Sequence, residues 1–169
     1  GVRGALSAWL EEIWLEDELN KVGLKARRKA LFDGPPGVGK TTLAHHLAAR
    51  LGLPMLVVRP EKLKSRFIDA SAENVGTLFD HLQERHAAGE PMLVMFDEFD
   101  SIVSERIAEG HNKVASNDHN HTVNTFLARF ELYEGFCIAA TNFGGRVDPA
   151  VWRRFQMHIT LELPGQFER

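Results

Sequence analysis

The stretch GPPGVGKT, residues 34–41, constrains this chain more than any other. It lies between ALFD (30–33), an apolar run that reads as a strand, and Lys40 to Leu51, which reads as a helix stopped by Gly52 and Pro54. The eight residues fit G-x-x-x-x-G-K-[ST] in full, with a strand before them and a helix after them. A triphosphate is a dense anion, and a helix N-terminus offers it unpaired N–H groups and a positive dipole end. Gly34, Gly37 and Gly39 let the backbone wrap the phosphates without Cβ clashes. Pro35 and Pro36 stiffen the entry, Val38 completes the turn, and Lys40 can reach the β- and γ-phosphates. The Thr41 hydroxyl can ligate Mg²⁺, with Thr42 beside it.

The rest of the chain reads as strands alternating with helices. Ala5 to Lys21 has Leu6, Leu10, Ile13, Trp14 and Val22 near helical spacing, which predicts one amphipathic helix, and GLKARRK (23–29) is a basic connector. MLVV (55–58) reads as a second strand and Ala72 to Ala87 as a second helix. PMLVMFDEFD (91–100) carries the most continuous apolar run, as expected of a strand buried on both faces. AEGHNKVASNDHNHT (108–122) is polar and irregular and reads as a mobile loop. Thr122 to Leu132 then reads as helical, FCIAAT (136–141) as a fourth strand and MHITLEL (157–163) as a fifth. Such alternation predicts an α/β fold, a parallel sheet covered on both faces. Trp9, Trp14 and Trp152 are expected to pack.

At 169 residues the chain is one domain's worth of sequence, 44% hydrophobic and 25% charged, in the range of ordinary globular proteins. A net charge of −3 gives no bulk attraction to nucleic acid or an anionic membrane. Cys137 is the single cysteine, which excludes an internal disulfide framework and fits a reducing compartment. No apolar run reaches the roughly 18 residues of a membrane span, and the start has no signal-peptide pattern. A cytoplasmic location is the expectation.

A phosphate cradle needs an acid to orient the metal ion, and such proteins supply it at the end of another strand. Asp97 and Glu98 follow the run 92–96 in that way. Asp97 would hold Mg²⁺ through its water shell, and Glu98 would polarise the attacking water. His111, His119 and His121 suggest zinc, but no cysteine is near and the pair sits in a stretch read as loop, so a solvated segment is preferred. His45 and His46 are expected on the sides of the phosphate-binding helix.

GPPGVGKT, DEFDSIVSER (97–106), IAATN (138–142) and VDPAVWRRF (147–155), in that order, resemble the AAA branch of the AAA+ ATPases. The arrangement is similar to the katanin and spastin type and to small bacterial AAA proteins. The resemblance implies a five-stranded parallel sheet in the order 5-1-4-3-2, with residues 30–169 as the large α/β subdomain and 1–29 as an N-terminal helix and connector. It also implies ATP rather than GTP, consistent with the lack of a guanine-reading Asn-Lys-x-Asp. Asn142 falls where the family positions the attacking water, and Arg153 and Arg154 fall at its arginine-finger position. Arg66, Phe67 and Ile68 match a pore loop whose aromatic residue grips an extended polypeptide; Asp69 stands where glycine is usual. The family continues into a small helical lid, and GQFER is where it would begin. The chain is therefore expected to be the large subdomain, monomeric by itself and hexameric in its full-length form.

These readings converge on Mg²⁺-dependent ATP hydrolysis coupled to remodelling of a protein partner. Two alternatives stand beside it. A nucleic-acid motor or helicase loader would need a basic channel, and a nucleotide-gated scaffold without turnover would need neither Glu98, Asn142 nor the arginine pair.

Overall fold

The computed structural model describes residues 1–59, 72–103, 113–142, 147 and 149–163, with the backbone alone at 102, 103 and 113–120. Five strands form one parallel sheet: β1 (Lys29–Asp33), β2 (Met55–Val58), β3 (Leu93–Phe96), β4 (Phe136–Thr141) and β5 (Met157–Thr160). Their order is β2-β3-β4-β1-β5, so the expected 5-1-4-3-2 arrangement is observed. Every residue of β3 and β4 is buried, which is why both read as unbroken apolar runs. At the edge, β5 alternates buried Met157 and Ile159 with exposed His158 and Thr160.

The period of two along each strand assigns its side chains to two cores. On one face, Leu31, Val94, Phe96, Cys137 and Ala139 pack against α4 (Ala72–Ala87) and α6 (Lys113–Leu132). Phe126 of α6 sits at the centre of that layer, with ring centroids 5.0 Å from Phe96 and 5.7 Å from Phe130. On the other face, Ala30, Phe32, Met95, Ile138 and Ala140 meet α1 (Val2–Trp14) and α3 (Lys40–Leu51). The remaining helices are short: α2 (Glu16–Lys21), α5 (Asp100–Val103) and α7 (Pro149–Trp152).

Four local expectations are corrected. The N-terminal segment is two helices rather than one, broken at Leu15. The acids Glu16, Asp17 and Glu18 form the first turn of the second helix, where the positive end of a helix dipole favours them. Trp14 does not pack in the core: it is 56% exposed, with the Arg50 guanidinium over its ring. The stretch from Lys113 to Thr122 is helical rather than loop. Buried Thr122, Val123, Phe126 and Phe130 anchor the C-terminal half of α6, and extending an anchored helix costs far less than nucleating one. Strands β3 and β5 are shorter than their apolar runs; after β5 one further ladder bond, Leu161 N–H to Asp33 O at 2.7 Å, closes the pairing.

The N-terminal helices are tied to the connector by polar contacts. Trp9 is buried and its indole N–H donates to the Arg27 carbonyl at 2.6 Å. The Glu12 carboxylate accepts from the Arg27 backbone N–H at 2.7 Å and from its Nε at 2.8 Å. Burial works to raise the Glu12 carboxyl, but the hydrogen bonds and charge of Arg27 outweigh it and hold the group below its ordinary value. A depressed folded value means that this stabilisation is present above the unfolded carboxylate value and is lost as pH falls through the folded one. Glu12→Gln is therefore expected to lower Tm at pH 7 by about 2–4 °C, or about 1 kcal/mol. Calorimetry should show the gap between variant and parent closing in acid.

Candidate functional site

The site is assembled where β1, β3 and β4 end, the edge at which open α/β sheets bind ligands. β1 ends at Asp33 and runs into the loop 34–39, after which α3 begins at Lys40. Gly37 (φ 82°) and Gly39 (φ 92°) adopt left-handed backbone conformations, which turn successive N–H groups toward one side. Gly34 has a different reason to be glycine. A Cβ there would lie 2.2 Å from the Leu161 carbonyl oxygen, on the backbone that leaves β5. Gly34→Ala is expected to cost about 2–3 kcal/mol, since backbone cannot yield as a side-chain tip does. Chemical denaturation should show that loss, and titration with a fluorescent ATP analogue should show weakened binding in the same variant.

Lys40 is buried, and its Nζ donates to the carbonyls of Gly34 at 2.6 Å and Pro35 at 2.9 Å. A third bond runs to Asn142 Oδ1 at 2.8 Å, across 102 positions of sequence. Burial lowers the Lys40 pKa, while Asp97, Asp33 and Asp100 draw it back toward the charged form. One ammonium thus lies within the field of three carboxylates. Asp100 also accepts the Asn142 backbone N–H at 3.3 Å.

Glu98 is the one described residue other than glycine with positive φ, at 49°. Its neighbours account for this. The Asp97 N–H is fixed to the Val58 carbonyl of β2 at 2.9 Å, and the Phe99 N–H to the Ala140 carbonyl of β4 at 2.8 Å. The Phe99 ring is fully buried among Phe126 and Phe155. Between two fixed points the backbone can hold Phe99 inward and Glu98 in solvent only through the left-handed region. Strain held by its surroundings in this way clusters at functional sites.

Beside the loop is a groove of about 510 Å³, lined by Val2, Arg3 and Leu6 of α1, by Val38 and Thr42, and by Leu161 after β5. His45 and His46 are exposed on α3, with His46 on the groove wall. Among the described residues no three His, Cys, Asp or Glu side chains group to hold a metal by themselves. The Thr41 hydroxyl and the Asp97 carboxylate still fit Mg²⁺, which takes one or two protein oxygens and completes its shell with water and phosphate.

The structure therefore brings together the loop residues 34–42, Asp97, Glu98 and Asn142, but keeps the two arginines apart from them. Both follow α7. Arg154 is paired with Glu131 at 2.7 Å, while Arg153 is exposed and its guanidinium has no partner among the described residues. The proposed pore-loop residues Arg66, Phe67 and Ile68, with Asp69, lie outside the described residues, as does His111. His121 is exposed on α6. Sequence reasoning missed Asp33, Asp100 and the α1 wall of the groove. Asp33 directly precedes the loop and Asp100 lies one turn after Asp97, so both carried a signal; the α1 contact is long-range and carried none.

A doubly covered parallel sheet with a glycine loop, a buried lysine and strand-end acids defines the class of P-loop nucleotide-binding domains. The sequence profile of the ATPase family associated with various cellular activities (AAA) matches residues 30–163. An uncharacterised AAA family ATPase of Sinorhizobium fredii is 36% identical over 157 residues, covering 92% of this chain and 45% of that protein. An ATP-dependent zinc metalloprotease FtsH of Acidothermus cellulolyticus is 33% identical over 175 residues, covering 100% of the chain and 26% of its own length. The peroxisomal ATPase PEX1 of Saccharomyces cerevisiae is 34% identical over 152 residues, covering 86% and 14%. The chain belongs to the AAA family of ATPases. It spans less than half the length of these curated relatives. Among the described residues no helix is long and apolar enough to cross a membrane.

Proposed function

We propose that this domain hydrolyses ATP with Mg²⁺ and, within a hexameric ring of the full-length protein, uses the cycle to remodel a protein partner in the cytoplasm. The observation that carries the hydrolytic part is the convergence of Lys40, Asn142 and the strained Glu98 at one sheet edge. A protein that only bound nucleotide would have no use for an exposed carboxylate held there at a conformational cost. In this reading the left-handed turn and the N-terminus of α3 hold the phosphates, and the groove between α1 and the loop receives the nucleoside. Mg²⁺, held by Thr41 and Asp97, supplies charge neutralisation to the β- and γ-phosphates. Lys40 exchanges its carbonyl partners for phosphate oxygens. Glu98 takes the proton of the attacking water, and Asn142 orients that water.

Protein remodelling is supported by the relatives whose names couple an ATPase to proteolysis or to the peroxisome, and by Arg66, Phe67 and Ile68 at the family's pore-loop position. The Arg153 guanidinium, without a partner among the described residues, supports a finger serving a neighbouring subunit, with Arg154 held back by Glu131. The test is phosphate release from ATP in Mg²⁺ and in EDTA, together with unfolding of a tagged protein substrate. Mg²⁺-dependent release that is lost in Lys40→Ala is the expected result; substrate unfolding that is lost in Phe67→Ala would assign the grip. Binding of ATP without any release would overturn the hydrolytic reading.

A further inference from the structure

A second cavity, of about 330 Å³, lies at the opposite end of the sheet, where β1 and β4 begin. Five residues of β1, roughly 17 Å at 3.3 Å per residue, separate it from the phosphate-binding loop. Its walls join α2 and the connector to the end of α4 and the turn between α6 and β4. Nothing in the proposed ATP cycle uses it.

Its lining has donors in excess of acceptors. Tyr133 is 3% exposed, and its hydroxyl has no hydrogen-bond partner among the described residues. The Nδ1 of His86, whose ring meets the Tyr133 ring edge-on at 6.1 Å, is also buried without a partner. Buried polar groups are as a rule paired, so two orphans on one wall mark a place for a partner from outside the chain. Burial pushes the Tyr133 phenol up to about 12, so at neutral pH it carries its proton and can donate.

The charges point the same way. Arg28 is already committed: it donates to the Glu134 carbonyl at 2.7 Å, pairs with the Glu16 carboxylate and lies 4.9 Å from the Phe136 ring centroid. Lys29 reaches only the Glu131 carbonyl at 2.9 Å and the face of Phe130, because the Glu131 carboxylate belongs to Arg154. Neither Lys25 nor Lys29 forms an ion pair among the described residues. Against these two ammonium groups stands one exposed carboxylate, Glu134, at the rim.

We propose that this cavity is a binding site for a small oxyanion, a carboxylate or a phosphate group, that accepts hydrogen bonds from Tyr133 and His86 and is neutralised by Lys29 and Lys25. A bound oxyanion would tie the connector to the α6–β4 turn, and so fix the N-terminal helices to the ATPase core.

Tyr133 is the only tyrosine in the chain, which gives the site its own reporter. With ¹³C-labelled tyrosine the ring resonances report on this cavity alone, and the protein can be titrated with inorganic phosphate and, separately, with malonate. The expected result is a saturable shift that persists in Lys40→Ala, where the phosphate-binding loop is disabled. Lys29→Met should raise the half-saturating concentration about tenfold, the loss of one charge-assisted bond. Lys25→Met, at an exposed position that leaves the packing on Phe130 untouched, should raise it about threefold. A response to phosphate alone, to malonate alone or to both supports the site and identifies the group it takes. Resonances indifferent to both anions, a shift abolished by Lys40→Ala, or a shift unaltered by either lysine variant would overturn it.

Discussion

Replacing Glu98 by Gln is expected to lower ATP turnover by about 10²–10⁴-fold, the contribution of a positioned general base. Nucleotide affinity should stay close to that of the parent, because the phosphate contacts come from the loop and Lys40. The amide keeps the size and the backbone conformation of the acid, so only its ability to take a proton is lost. Glu98→Gly separates that chemistry from the strain. It too should be inactive, but it relieves a left-handed residue whose cost is on the order of 1–2 kcal/mol. The glycine variant should therefore melt above the parent, and the glutamine variant should not. Equal melting temperatures for all three would mean that φ 49° costs nothing here. Residual turnover in Glu98→Gln within a few-fold of the parent would remove Glu98 from the proposed role.

The same residue shows where the sequence stops being informative. That two acids end a buried strand is legible directly, because an apolar run that breaks abruptly into Asp97 and Glu98 marks the point where a covered strand reaches solvent. That Glu98 is twisted outward is not legible, since it depends on hydrogen bonds from Asp97 to β2 and from Phe99 to β4, both remote in sequence. The sheet order is legible only through the family resemblance; periodicity identifies strands but not neighbours. Local signals locate β1, α3, β2, α4 and β4 closely, because each has a burial period and a glycine, proline or polar stop. They fail at Leu15 and at Lys113–Thr122. In the first case the apolar period continues across a break set by three acids. In the second, weak helix formers are carried by the anchored half of a long helix. Spacing misplaces Trp14 for a related reason: it puts the ring on the apolar stripe, but the stripe ends before Trp14 does.

The arginine pair is the other place where large effects are expected, and here the structure distinguishes residues that the sequence leaves equivalent. Arg154 spends its charge on Glu131, both side chains being partly exposed, so Arg154→Ala should cost at most about 1 kcal/mol of stability. Arg153 has no such partner among the described residues, and Arg153→Ala should leave Tm unchanged. If Arg153 is the finger, its loss should cut turnover by on the order of 10³-fold or more. Since neither arginine joins the loop of its own chain, that effect should be exerted on a neighbour's nucleotide. A mixing experiment separates this from any action within one chain. Arg153→Ala and Glu98→Gln are each inactive, but in an assembly containing both, a site with intact Glu98 can border a subunit with intact Arg153. Activity should then return on mixing, rise with total protein concentration and peak when neither variant is in excess. Mixtures as inactive as their components would mean that Arg153 does not act across a subunit boundary.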